Sequence, residues 1–151
     1  MNFRNDGRIK GFSLMELMVT SLVVSLVFAL AVPNLNSFIK RSQLNNALRS
    51  VTGGLSNARY NAIMRNNPVK FSIEAENDEN MIRLREQRGS TWVVIDETKL
   101  EDGVSVSGNA SPVFYPVGDV APLCTVLVGN DISRYKITIS MAGRIKVDVV
   151  E

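Results

Sequence analysis

Gly11-Phe12-Ser13-Leu14-Met15-Glu16 is the stretch that decides how this chain is read. Before it lie Arg4, Arg8 and Lys10. After it an apolar run extends to Val32, in which Glu16 is the only ionised side chain. Leu14 to Val32 is nineteen residues. As a helix they span about 28 Å at ~1.5 Å per residue, close to the hydrocarbon thickness of a bilayer. A carboxylate at that depth costs about 2.5–3.5 kcal/mol on insertion scales, and less near the interface. A plain anchor has no use for such a charge.

The stretch resembles the class III signal of type IV pilins and type II secretion pseudopilins, because glycine, phenylalanine, the spaced glutamate and the apolar run all fall in one register. The resemblance implies that a prepilin peptidase cuts between Gly11 and Phe12 and methylates the new amine of Phe12, making Glu16 the fifth residue of the mature chain. It also implies the partners: other pilin or pseudopilin subunits, an inner-membrane assembly platform and the membrane itself, with a periplasmic head. In that family the glutamate meets the N-terminal amine of a neighbouring subunit, and an opposite charge is what makes a buried carboxylate tolerable. Two other readings stand beside this one. A simple bitopic anchor would hold Glu16 near the headgroups. A secretory signal peptide would use the basic leader and cut at Ala29-Leu30-Ala31, although the run exceeds the usual ~7–15-residue apolar region.

The composition narrows the function classes. Removing residues 1–11 takes three bases and one acid from totals of 17 and 15, which leaves 14 of each. The pI near 8.8 therefore reflects the leader, and only a local basic patch would serve a nucleic acid. With no histidine, Ser-His and Cys-His catalysis and histidine metal sites are excluded. The single cysteine, Cys124, shares a face with Val126 and Val128 and reads as a small buried hydrophobe. It cannot form an internal disulfide, so the head lacks the C-terminal bridge common in major type IV pilins.

Beyond Val32, Pro33 is expected to kink the helix without ending it, since Leu44, Leu48, Val51, Leu55, Ala58 and Ala62 continue an apolar stripe. Gly53-Gly54 interrupts that stripe and suggests a local bend, and Asn66-Asn67-Pro68 ends it. The remainder reads as strands. Phe71, Ile73 and Ala75 alternate with polar residues, Asn77 to Asn80 turn, and Ile82 and Leu84 return, with Arg83 and Arg85 set to face Glu74 and Glu76. Trp92 to Ile95 reads as core, with an exposed aromatic serving a subunit contact as the other reading. Val104 and Val106, then Val113 to Gly118, follow as strands, and Leu123 to Val128 is long enough for a buried one. In the last hairpin a three-residue loop pairs Ile139 with Ile145, Ile137 with Val147 and Tyr135 with Val149. It sets Lys136 opposite Asp148 and gives Gly143 the positive φ.

The fold class is thus α+β, a long N-terminal helix packed against an antiparallel, β-sandwich-like head. Its expected divisions are a leader (1–11), a membrane and assembly half-helix (12–33), an amphipathic half-helix (34–66) and the head (67–151). The stretches Asn57 to Arg65 and Phe114 to Gly118, with the final Gly-Arg-Ile hairpin, resemble the GspH/FimT branch of minor pilins and pseudopilins. That likeness implies a structural subunit without catalysis, cofactor or metal, in which Glu16 and Pro33 serve assembly. Some members bind DNA through a Gly-Arg-x-Arg element, here Gly143-Arg144-Ile145-Lys146, so Arg134, Arg144 and Lys146 are candidate DNA contacts. Lysine keeps the phosphate charge but not arginine's fork. A solvated strand face is the plainer reading of the same residues. Glu74, Glu76, Asp78 and Glu79 do not follow a calcium-loop spacing, and the facing arginines would compete for them.

Overall fold

The computed structural model describes residues 11–76 and 79–150, without the side chains of 30–34. Most of the expected leader and the Asn77-Asp78 turn thus lie outside the described residues. Ser13 starts the helix: its Oγ accepts from the Glu16 amide at 3.2 Å, and its carbonyl accepts from the Leu17 amide at 3.2 Å. A serine side chain there satisfies one of the orphan amides of the first turn. The helix, α1, therefore spans Leu14–Arg65, two residues later than a start at Phe12. At its end Asn66 takes φ +54°, the left-handed turn that asparagine tolerates, and Pro68 follows two residues on.

Helical structure continues through Gly53-Gly54, and Gly54 has a packing role there. A Cβ there would stand 3.0 Å from Cε2 of Phe71 and 3.3 Å from Cγ2 of Ile82, so the missing side chain makes room for a core ring. The buried stripe is Leu44, Ala47, Val51, Leu55, Ala58 and Ala62, with Leu48 only partly covered. The inward line thus runs through Ala47, and its alanines let strands approach closely.

The chain divides into two compact units, the first ending at Phe38 and the second beginning at Ile39. Among its described residues the second unit holds nine strands: β1 (Val69–Glu76), β2 (Glu79–Arg88), β3 (Thr91–Lys99), β4 (Ser105–Gly108), β5 (Val113–Phe114), β6 (Val120–Ala121), β7 (Thr125–Gly129), β8 (Arg134–Ile139) and β9 (Ile145–Val150). They form a five-stranded sheet, β3-β2-β1-β5-β6, and a four-stranded sheet, β4-β7-β8-β9, with antiparallel neighbours throughout. Val69, Phe71, Ile82, Leu84 and Phe114 of the first sheet share one core with Cys124, Val126, Val128, Ile137, Ile139 and the helix stripe. Each such aliphatic or aromatic side chain contributes roughly 1.5–3 kcal/mol on burial.

The terminal hairpin has the register that its apolar alternation requires: Ile139↔Ile145, Ile137↔Val147 and Tyr135↔Val149, with Gly143 at φ +69°. Three expectations are corrected. Trp92, Val93 and Val94 are not core, because β3 is the outermost strand of its sheet and leaves them exposed. Ser72, on the polar side of β1, is buried because Glu74 and Arg85 close over it. β7 buries one face only, with Cys124 (just ahead of it), Val126 and Val128 inside and Leu123 and Leu127 outside.

Candidate functional site

Three groups of residues carry functional weight. The first is the helix start. Gly11 and Phe12 precede α1 and are exposed, the Phe12 side chain at 81%. Glu16 lies in the first turn, where the positive end of the helix dipole favours a carboxylate. The spacing Ser13-x-x-Glu16 is that of a capping box, and the described residues show one half of it, the Glu16 amide bonded to Ser13 Oγ. From Phe12 to Phe28 large apolar side chains are exposed all round the helix, whereas a globular helix keeps them to one stripe. The hydroxyls of Thr20, Ser21 and Ser25 donate to helix carbonyls (Leu17, Met18 and Ser21 at 3.0, 2.9 and 2.8 Å), so they make no demand on water. Among the described residues no helix is long and apolar enough to cross a membrane; the apolar run ends in residues 30–32, whose side chains are not described. Pro33 lies within α1, with its side chain likewise outside the described residues.

The second group is a junction at Arg59. Its Nη1 donates to the carbonyl of Gly143 at 3.2 Å, and its Nε is buried with no partner among the described residues. A Cβ at Gly143 would stand 2.9 Å from the Gly118 carbonyl oxygen and 3.0 Å from Arg59 Nε. Gly118 has φ +92° and closes the β5–β6 turn, its N–H donating a hydrogen bond to the Tyr115 carbonyl at 2.9 Å. The Val120 amide then donates to the Met141 carbonyl at 2.9 Å, tying the two sheets together. Helix, β5–β6 turn and β8–β9 turn meet here.

The third group is the outer face of β8 and β9. Arg134, Lys136, Arg144 and Lys146 are all exposed there. The expected neutralisation of Lys136 by Asp148 is replaced by a Lys146–Asp148 pair at 2.8 Å, two residues apart on one strand. Arg134 and Arg144 make no ion pair among the described residues.

The remaining charges hold the sheet together. Arg83 bridges Glu74, Glu76 and Glu97, and Arg85 pairs with Glu74, so one arginine links β1, β2 and β3. Arg85 and then Arg83 hold the Glu74 carboxyl well below the usual carboxylate range. Both Glu74 oxygens are occupied by guanidinium groups, so a calcium ion would have to displace them. Glu86, on the inward side of β2, accepts from Asn67 at 3.0 Å, Arg88 at 2.9 Å and Arg65 at 3.3 Å, and the first two bonds lower its pKa most. Sequence reasoning missed Glu86, although Ile82-x-Leu84-x-Glu86 places it in the inward period.

No family model and no curated protein matches this chain. Its fold does match solved structures. The type IV minor pilin FimU of Pseudomonas aeruginosa aligns over 74% of this chain and 92% of its own, at 14% identity and a TM-score of 0.61. The minor pseudopilin EpsH from the type 2 secretion system of Vibrio cholerae aligns over 75% and 98%, at 14% identity and a TM-score of 0.56. The chain has the fold of the minor pilins and minor pseudopilins.

Proposed function

We propose that this chain is a minor pilin or pseudopilin, a structural subunit of a type IV pilus or a type II secretion pseudopilus, with no chemistry of its own. The observation that carries the reading is the first half of α1: apolar on every side, self-satisfied in its hydroxyls, with Glu16 in its first turn. Processed at Gly11-Phe12, the subunit is held in the inner membrane by this half-helix, with its head in the periplasm. Assembly exchanges lipid contacts for helix–helix contacts, and Glu16 meets the amine of a neighbour's Phe12. That pairing offsets the cost of the buried carboxylate. The test is Glu16→Ala in cells, followed by the amount of subunit in the sheared filament fraction. Loss of incorporation with normal membrane levels is expected, and wild-type incorporation overturns the reading.

A second reading is DNA reception on the β8–β9 face, supported by four exposed bases beside a single acid. Roughly three phosphate contacts give weak, salt-sensitive, sequence-independent binding. Residues 39–151 contain the whole core and are the fragment to test. A duplex shift at low salt that Arg144→Ala with Lys146→Ala abolishes supports it, and no shift by the unmutated fragment removes it.

A further inference from the structure

The β7–β8 loop is a built turn. The Asn130 amide donates to the Ser133 carbonyl at 3.1 Å, and Asn130 Oδ1 accepts from the Ile132 and Ser133 amides at 3.0 and 3.2 Å. The turn is fastened to α1 at Lys40: Asn130 Nδ2 donates to the Lys40 carbonyl at 2.8 Å, and Lys40 Nζ pairs with Asp131 at 2.9 Å. Ile132 is left exposed at the tip, and Val149 and Val150 are exposed around the open hollow of about 470 Å³ that the loop borders. Arg134 lines that hollow, and Arg41 lines a second one beside Ser133. Both arginines are exposed and make no ion pair among the described residues. Asp131 is the one acid among the described residues lining either hollow, and Lys40 neutralises it. Apolar side chains beside unpaired cations suit a bilayer interface, where the first enter the glycerol level and the second take phosphates.

The place of the loop along the chain points the same way. Lys40 is eight residues beyond Val32, about 12 Å of helix at ~1.5 Å per residue. Within that interval Leu35, Phe38 and Ile39 are apolar and exposed, so the apolar surface continues to the residue before Lys40. The headgroup layer is roughly 5–8 Å deep on each side of a bilayer, and long basic side chains reach back into it. By length of chain alone, Lys40 and the loop fastened to it come within reach of the headgroups. We infer that the β7–β8 loop docks on an anionic phospholipid surface, with Arg41 and Arg134 on lipid phosphates and Ile132 in the interface. The inference rests on the reading of the first half of α1 as a membrane span. Each unpaired cation near an anionic leaflet favours the docked state by roughly fivefold. Two of them give a weak hold on the unassembled subunit, one that assembly contacts can release. A nucleic acid on Arg144 and Lys146 would sit at the other end of the same hairpin, since Arg134 pairs with Val150 and Ile139 with Ile145.

The test uses the full chain reconstituted in vesicles, labelled with an environment-sensitive fluorophore at Ile132→Cys; native Cys124 is buried. Quenching by phosphatidylcholine carrying a headgroup nitroxide is compared with and without phosphatidylglycerol in the vesicles. Flotation with pure phosphatidylcholine vesicles reports the membrane span separately. Quenching is expected to rise at least fivefold with phosphatidylglycerol, as roughly one cation's contribution requires. Arg41→Glu with Arg134→Glu should return it to the phosphatidylcholine level, and Arg144→Glu with Lys146→Glu should leave it unchanged. A label at Val117→Cys, exposed in the β5–β6 turn, should respond to neither lipid. Flotation with equal quenching in the two lipids overturns the inference alone, as does quenching that the Arg144 and Lys146 reversal removes as fully. Failure to float overturns the membrane span and the inference with it.

Discussion

Arg59 on the helix donates to the carbonyl of Gly143 across 84 residues of chain, with Gly118 packed against both. The glycine is required twice over: φ is +69°, and an added methyl would meet the Gly118 oxygen at 2.9 Å. Gly143→Ala is therefore expected to cost about 1–3 kcal/mol. Arg59→Ala should cost about 1 kcal/mol, the loss of one hydrogen bond from a charged donor, offset by removal of an orphan Nε. Chemical denaturation of residues 39–151 checks both, and an unaltered midpoint for Gly143→Ala would mean that the junction does not hold the turns.

The two helical glycines should behave in opposite ways. Nothing stands within 4 Å of a Cβ at Gly53, so Gly53→Ala should stabilise by about 0.5–1 kcal/mol through helix propensity. At Gly54 the same methyl meets the Phe71 ring at 3.0 Å. Gly54→Ala should lose that gain and fall below wild type in thermal denaturation.

Acid should weaken the head. Glu74 is held below its ordinary pKa by Arg85 and then Arg83, and Glu86 by Asn67 and then Arg88. Between the folded and unfolded pKa values the unfolded chain binds more protons, so this stability is full above about pH 4.3 and is lost as pH falls below it. The denaturation midpoint is expected to drop from pH 7 to pH 3, and Glu74→Gln with Glu86→Gln should flatten the drop while lowering the value at pH 7. A double variant with the wild-type slope would count against the assignment.

Burial pushes the Cys124 thiol up, and the thiol donates to the Ala110 carbonyl at 3.0 Å. The folded protein should resist a thiol reagent at pH 8 and react fully once denatured. Rapid modification of the native head would place this residue outside the core.

Much of this architecture was legible from local pattern. The helix stripe, the Arg83 and Arg85 pairing with Glu74, and the β8–β9 register all follow from apolar residues recurring at one period and from excluding charges from the inside. What escaped was decided by strand order and by contacts distant in sequence. Trp92-Val93-Val94 reads as core until β3 is known to be outermost. Ser72 is buried by side chains closing over it, which no alternation encodes. Asp148 chose Lys146 on its own strand over Lys136 across from it. The Arg59 junction draws on three stretches that the resemblance named together, Asn57 to Arg65, Phe114 to Gly118 and the Gly143-Arg144-Ile145 hairpin, but only the fold shows that they touch. The Ser13 cap of α1 was readable from Ser-x-x-Glu and was overlooked beside the charge of Glu16.

The central claim, that Gly11-Phe12 is a processing and assembly signal, is tested most directly by the intact mass and N-terminal peptide of the protein isolated from its membrane. The account predicts a chain beginning at N-methylated Phe12, and Gly11→Ala should leave it unprocessed. A chain beginning at Val32, or an uncut Met1, would contradict it.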